Sequence, residues 1–565
     1  MNNNNQFLEA RNFLLNKKNE YQEAVEGFRW PHLESFNWAL DYFDKMARGN
    51  PNPALQFVDD SGGNVSYTFD DMASKSDRVA NFMVGLGVER GDRVLLMLGN
   101  EVALWEVMLA AFKIGAVIIP ASELLVEEDL DDRIERGNVS YIVTSSKHIH
   151  KFADYAAGVK GAVCIDGEAD GWTNYNEAST CSSRFTPVGI TNSNDPLLLY
   201  FTSGTTSKPK LVLHSHQSYP VGSLSTMYWI GLQPTDVHLN ISSPGWAKHA
   251  WSCFFAPWNA EACIFIYNSE RFNAKSFLNI LTTYPVTTLC APATVWRMLI
   301  QQDLKAVRSS ISLRELVGAG EPLNPEVIGH VQDAWGITVR DGFGQSETTA
   351  LVGNTPGQEV KPGSMGRPLP GYEVVLLDAD GNASEEGEVA IKISPRPVGL
   401  MLGYEGSPEK TDEAMSGGYY RTGDTAAKDP DGYITFIGRA DDVFKSSDYR
   451  ISPFELESAL MEHEAVAEVA VIPVSDPVRL TVPKAYVVLS GGFQANRDTA
   501  RALFSFVEIR MAPYKRIRFL EFIDEFPKTI SGKIRRVDLR KFENNTEKSN
   551  ENNNIKSFHE SINND

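Results

Sequence analysis

The chain alternates short apolar runs with segments of helical spacing. Val94-Leu95-Leu96-Met97-Leu98 is continuously apolar, which predicts a strand covered on both faces. Val102 to Lys113 has apolar residues at helical spacing, and Gly115 reads as its stop. Ala116-Val117-Ile118-Ile119-Pro120 is the next strand, and a second round opens at Leu197-Leu198-Leu199-Tyr200-Phe201. This alternation predicts largely parallel sheets with helices on their faces. Two such rounds imply two related layered subdomains, without a clean internal repeat.

The pattern changes near residue 430. Asp429-Pro430-Asp431-Gly432 is a turn signal between Tyr420-Arg421-Thr422 and Tyr433-Ile434-Thr435-Phe436-Ile437. Beyond Gly438-Arg439-Ala440-Asp441-Asp442 the spacing predicts a helix over 453–463, strands over 466–472 and 484–489, and a helix over 497–510. A strand over 517–523 and a short helix after Gly532 follow. This is the pattern of a separate α+β domain. Asn2 to Asn5 and the stretch after Phe542 are polar and low in apolar residues, so both ends are expected to stay unordered. The expected organisation is an N-terminal extension over 1–28, a large α/β domain over 29–440, a small α+β domain over 441–543 and a disordered tail over 544–565.

Composition narrows the class. Among 565 residues, 42% are hydrophobic and 22% charged, which excludes collagen, coiled coil and wholesale disorder. The formal net charge of −20 argues against non-specific binding to nucleic acid or to an anionic membrane. Cys164, Cys181, Cys253, Cys263 and Cys290 form no metal-type spacing and suit a reducing compartment. The start lacks a charged and apolar leader, and the apolar zone from Val94 to Pro120 is interrupted by Glu101, Glu106 and Lys113. A cytoplasmic protein with no nucleic-acid partner and no stable membrane association is expected.

The strongest chemical signal is Thr202-Ser203-Gly204-Thr205-Thr206-Ser207-Lys208-Pro209-Lys210, directly after an apolar strand. Hydroxyls, exposed backbone N–H groups and two ammoniums suit an anion cradle. It is not a Walker A loop, and a solvated Ser/Thr loop is the competing reading.

The run resembles the phosphate loop of the adenylate-forming (AMP-binding) superfamily, which includes acyl-CoA synthetases, adenylation domains and firefly-type luciferases. Further segments resemble the family's signatures in order. Gly318-Ala319-Gly320-Glu321-Pro322 is similar to the adenine-pocket segment. Asp341-Gly342-Phe343-Gly344-Gln345-Ser346-Glu347-Thr348 resembles the aromatic-Gly-Gln-Thr-Glu segment. Tyr420 to Asp424 and Gly438 to Asp442 resemble the ribose and hinge segments, and Pro527 to Lys533 the catalytic-lysine loop. The resemblance spans about residues 30 to 540 and is nearest to medium-chain and acetyl-CoA synthetase-like enzymes. It implies an α/β fold: a large N-terminal domain of layered βαβ subdomains plus a β-barrel-like subdomain, and a small mobile α+β C-terminal domain.

The resemblance implies roles residue by residue. ATP and a carboxylate give an acyl-adenylate and pyrophosphate, and coenzyme A then takes the acyl group. Thr202 to Lys210 would hold the phosphates, with Thr202, Glu347 and Lys533 catalytic and Glu347 ligating Mg²⁺. Gly320, Glu321, Pro322 and Asp341 to Thr348 would line the nucleotide. Asp424 and Arg439 would take the ribose, Arg450 a phosphate. Asp441 corresponds to the hinge, about which Lys533 leaves and Ser447, Asp448 and Tyr449 approach the thiol. Asp448 stands where the family has Gly, adding bulk and charge there. Ser207 also replaces a commoner Gly. Arg479, Arg516 and Arg518, with Lys515 beside them, are the CoA candidates.

Trp246 and Gly344 are the acyl-pocket candidates. Acetate-specific relatives carry Trp at the position of Gly344, so a longer channel and a short- to medium-chain fatty acid are expected. Several chain lengths are expected to be accepted. Lys248 faces either CoA or solvent, and His214 and His216 read as structural. Acetylation of Lys533 by a partner enzyme would remove the charge of the first step. The alternatives are a stand-alone adenylating enzyme serving a carrier protein, a luciferase-like oxidoreductase, and a nucleotide-binding regulator without catalysis.

Overall fold

The computed structural model describes residues 3–202, 208–440, 442–446, 449–476, 479–528, 534–548 and 557–563. The chain forms two compact units: residues 1–374 with 391–420, and residues 375–390 with 421–565.

The first unit holds two sheets. In the eight-stranded one, Arg93–Met97 lies between Val117–Pro120 and Tyr141–Thr144, all parallel. Helix Val102–Ile114 makes the crossover and ends on Gly115 at φ 89°, the stop its sequence suggested. Pro196–Thr202 adds in parallel beside Val117–Pro120, then turns back as Lys210–Ser215, with Thr202 opposite Lys210. The phosphate-loop candidate therefore starts and ends on two paired antiparallel strands. Gly403–Tyr404 closes that edge, Tyr404 opposite Val212.

The nine-stranded sheet has a parallel centre of Cys263–Asn268, Val237–Asn240, Thr288–Ala291, Glu315–Gly318 and Val339–Gln345. Thr349–Gly353 returns antiparallel from Val339–Gln345. Trp296, Leu316, Val331, Trp335 and Val339 pack in one core cluster on this sheet. The adenine-type and aromatic-type segments thus lie at the carboxyl ends of adjacent parallel strands, the usual place for ligands in α/β sheets.

The amino end differs from expectation. Asn3–Asn16 is a helix, with Phe7 and Leu14 at 0% exposure and Ala10 and Arg11 buried between them. Arg11 pairs with Glu261 at 2.7 Å.

In the second unit, residues 424–428 of the strand Tyr419–Lys428 pair with Ile434–Arg439 as a hairpin across the Asp429–Gly432 turn, within a five-stranded sheet. A four-stranded sheet of Val466–Asp476, Leu480–Leu489, Phe519–Phe522 and Ser557–His559 packs helices Pro453–Met461 and Arg497–Arg510 through Leu456, Leu460, Val471, Leu503 and Phe504. The last strand lies in the stretch expected to be a disordered tail; Phe558 and Ile562 pack against this core. Among the described residues no helix is long and apolar enough to cross a membrane.

Candidate active site

The phosphate-loop hairpin is gripped at its two ends. Phe201, just before it, lies under the guanidinium groups of Arg133 and Arg136, 5.1 and 5.7 Å from its ring centroid. Arg136 also donates to the carbonyl of Pro209 at 2.7 Å. Lys208 is exposed and Lys210 half-buried, its ammonium 4.7 Å from the Tyr404 ring centroid. Ser203 to Ser207 lie outside the described residues.

The turn from Gln345 to Thr348 is fixed at each residue. Tyr420 donates to Gln345 Oε1 at 2.8 Å. His214 bonds the Ser346 carbonyl at 2.7 Å through Nε2, and Ser218 Oγ at 2.9 Å through Nδ1. The Met401 N–H donates to the Glu347 carbonyl at 2.8 Å, and the Tyr404 hydroxyl to Glu347 Oε1 at 3.0 Å. Tyr372 donates to the Thr348 carbonyl at 3.0 Å. Burial lowers the His214 pKa to about 4, so the ring is neutral at neutral pH and serves as a strut. His216 is likewise fully buried and pushed down to about 3. No sequence signal marks Tyr372 or Tyr404.

Asp341 is a joint between segments. Its side chain, 4% exposed, accepts from the N–H groups of Leu323 and Gly342 at 3.2 and 2.9 Å. Burial outweighs those donors and raises its pKa to about 7. Gly342 and Gly353 pair across the two strands, and a Cβ on either would lie 2.4 or 2.3 Å from the buried Trp229 indole. Phe343 is half-buried, and Glu321 and Pro322 are half-buried beside exposed Gly320, with Glu321 3.5 Å from Arg297.

Gly344 is the other residue expected on the acyl side. In the direction a Cβ would take, the Thr349 carbonyl oxygen lies 2.0 Å away. A bulge brings the two strands together at Phe343 and Gly344 in this chain. Trp246 is half-buried at the start of helix Ala247–Ala250. Lys248 is half-buried and donates to the Ala319 carbonyl at 3.2 Å, tying this helix to the adenine-type segment.

In the second unit Asp424 and Arg439 face each other across the hairpin, 3.2 Å apart, the carboxylate buried and the guanidinium partly exposed. Glu388 fixes the preceding stretch of the strand through Arg421 at 2.7 Å and the Gly423 N–H at 3.0 Å. Arg479 is exposed. The neighbouring cations are engaged within the unit: Lys515 with Glu455 at 2.7 Å, Arg516 with Glu508 at 2.6 Å, and Arg518 with Glu560. Tyr449 and Arg450 belong to strand Tyr449–Ile451, with Arg450 opposite Lys445. Asp441, Ser447, Asp448 and Lys533 lie outside the described residues.

The profile described as "AMP-binding enzyme" matches residues 43–405, and that described as "AMP-binding enzyme C-terminal domain" matches residues 455–533. The chain belongs to the AMP-binding enzyme family. Among curated relatives, 4-hydroxybutyrate–CoA ligase 1 of Metallosphaera sedula is 41% identical over 539 residues, 94% of each chain. The mitochondrial acyl-coenzyme A synthetase ACSM3 of Rattus norvegicus is 37% identical over 541 residues, 93% of each chain. Among solved structures, an acyl-CoA synthetase from Brucella canis matches with a TM-score of 0.71 at 31% identity, covering 93% of this chain and 99% of the other. The anthranilate CoA ligase AuaEII, in complex with anthranoyl-AMP, matches with a TM-score of 0.82 at 26% identity, covering 91% and 98%. This AMP-binding enzyme thus shares its fold, over nearly its whole length, with CoA ligases.

Proposed function

We propose that the protein is an ATP-dependent acid:CoA ligase acting through an acyl-adenylate. The observation that carries this is the turn Gln345 to Thr348, pinned at each residue, with Glu347 bonded to the tyrosine whose ring holds Lys210 of the phosphate loop. A hard carboxylate and a loop ammonium thus meet one side chain, which suits a metal-bound triphosphate. In the first step a carboxylate oxygen of the acid attacks the α-phosphorus and pyrophosphate departs. In the second the thiol sulfur attacks the acyl carbon, AMP departs, and the thiol proton is released.

Lys208 and Lys210 offset the charge of the phosphates, with Thr202 at the mouth of the loop. Glu347 suits Mg²⁺, a hard cation that takes carboxylate oxygens, and Tyr404 engages one of its two oxygens. When bound, Mg²⁺ offsets triphosphate charge. Gly320 to Pro322 and Asp341 to Phe343 form the adenine side, and Asp424 with Arg439 takes the ribose hydroxyls. Arg450 takes a phosphate. We assign Lys533 to the α-phosphate in the first step, Asp441 to the hinge, and Ser447, Asp448, Tyr449 and Arg479 to the CoA side. Arg516 and Arg518 join them by exchanging their carboxylate partners for phosphate. The reading divides the chain functionally at Asp441. Acetylation of Lys533 would silence the first step by removing its charge. The five free cysteines support a cytoplasmic setting.

The substrate is a short- to medium-chain carboxylic acid, with Trp246 on the acyl side. The test is acid-dependent pyrophosphate release from acetate to dodecanoate, including 4-hydroxybutyrate and benzoate, with and without CoA. An acyl-CoA product with CoA-stimulated turnover supports the reading. Pyrophosphate release indifferent to CoA points to a carrier-protein acceptor, and no acid-dependent release refutes adenylation.

A further inference from the structure

Tyr404 lies 57 residues from Glu347 in sequence, outside every motif that suggested function. Its side chain is 6% exposed. Its backbone is fixed by the strand Lys210–Ser215: Tyr404 sits opposite Val212, the Leu402 N–H donates to the Leu213 carbonyl at 2.7 Å, and the Glu405 N–H to the Leu211 carbonyl at 2.8 Å. Thr411 Oγ1 accepts the Tyr404 N–H at 2.8 Å. The same segment holds Glu347 from both sides, through the Met401 N–H on its carbonyl and the Tyr404 hydroxyl on its carboxylate.

The two ends of this phenol meet opposite charges. The hydroxyl donates to Glu347 Oε1, and the ring faces the Lys210 ammonium at 4.7 Å. A carboxylate and an ammonium that share one neighbour in this way would gain by pairing directly if they could meet. Such a pair would use up the two charges that a metal–triphosphate complex needs. The ring offers the ammonium an alternative partner through its π face. The hydroxyl orients the carboxylate and leaves its second oxygen for another ligand.

We propose that Tyr404 is a positioning residue: it holds Glu347 oriented for a divalent cation and keeps Lys210 out of a direct ion pair with it. This rests on Glu347 serving the metal and Lys210 the phosphates. The reaction assigned to the enzyme does not by itself require a tyrosine at this place.

The test uses the full-length protein and three variants, Tyr404→Phe, Tyr404→Leu and Glu347→Gln. Three quantities are measured. One is the affinity for a non-hydrolysable ATP analogue, by calorimetry, with and without Mg²⁺. The second is the Mg²⁺ concentration giving half-maximal acid-dependent pyrophosphate release. The third is the KM for the acid. Phe keeps the ring and removes the hydroxyl. It should raise the half-maximal Mg²⁺ concentration by about tenfold, the order expected for losing a hydrogen bond to a charged group. Analogue affinity without Mg²⁺, acid KM and melting temperature should not change. Leu removes the ring as well, and should also weaken analogue binding without Mg²⁺, as Lys210 collapses onto Glu347. Glu347→Gln should abolish the Mg²⁺ enhancement of analogue binding. If it does so while Tyr404→Phe keeps the wild-type Mg²⁺ response, the positioning role is wrong and the role of Glu347 stands. If Glu347→Gln retains the enhancement, both fall. Should the Leu variant not fold, the Phe variant alone decides.

Discussion

Gly344→Ala separates two accounts of the acyl side. A Cβ at this position would lie 2.0 Å from the Thr349 carbonyl oxygen and 2.9 Å from Ala350 Cα. Ordinary carbon–oxygen contacts begin near 3.3 Å, so the returning strand must retreat by about 1.3 Å. The displaced atoms are main chain, and no rotamer change relieves the contact. Gln345 pairs with Thr349 directly beside this point, closing the turn that carries Glu347. Overpacking of this kind costs roughly 1–3 kcal/mol in stability. A shift of about 1 Å in groups that align reacting atoms costs about 100-fold in rate. The expected result is a fall of that order in pyrophosphate release with acetate, hexanoate and decanoate alike, together with a lower melting temperature. If Gly344 served only to leave room for the acyl chain, one methyl group would spare acetate and penalise decanoate. Full activity with acetate and a selective loss with decanoate would refute the backbone-contact role of Gly344.

Three further outcomes follow. Asp424→Asn should raise the KM for ATP by about 10- to 100-fold and leave the acid KM unchanged, because a charge-assisted contact to the ribose is lost; equal effects on both constants would contradict the ribose role. Burial holds His214 near 4 and His216, His238 and His249 near 3, below the ordinary value of 6.5. The unfolded chain therefore takes up these protons first. Stability from these groups is present above about pH 6.5 and is lost as pH falls toward 4, at up to about 1.4 kcal/mol per imidazole per pH unit. Denaturant midpoints measured across that window should fall with acidification, and a level midpoint would contradict this. Gly342→Ala should be destabilising in the wild type and markedly less so beside Trp229→Leu, because its methyl would meet the indole at 2.4 Å. Additive effects in the double-mutant cycle would show that the indole is not what the methyl meets.

Much of the layered architecture is legible in local pattern. The strand at Val94, the helix stopping at Gly115 and the helix Arg497–Arg510 all follow from apolar spacing and a glycine, which are local causes. The amino-terminal helix is hidden in the sequence because its asparagines dominate the composition. Its buried face, Phe7, Ala10, Arg11 and Leu14, nevertheless keeps helical spacing. The contacts of Tyr372 and Tyr404 with the Gln345–Thr348 turn join segments far apart in sequence, which no local pattern carries. The closeness of the Thr349 carbonyl to Gly344 is set by the facing strand in the same way, and no local pattern carries it. The ion pairs that occupy Arg516 and Arg518 are equally hard to read from the sequence, the second formed with Glu560 in a stretch whose composition suggested disorder.

The most direct test of the central claim follows the oxygen of the acid. A substrate acid labelled with oxygen-18 in its carboxylate is turned over with ATP and CoA, and the nucleotide and pyrophosphate are analysed by mass spectrometry. Attack of the carboxylate on the α-phosphorus, followed by transfer of the acyl carbon to sulfur, leaves one labelled oxygen in AMP and none in pyrophosphate. Unlabelled AMP, with the label in pyrophosphate or in phosphate, would mean that the acid is activated elsewhere on the triphosphate and would contradict the adenylate route.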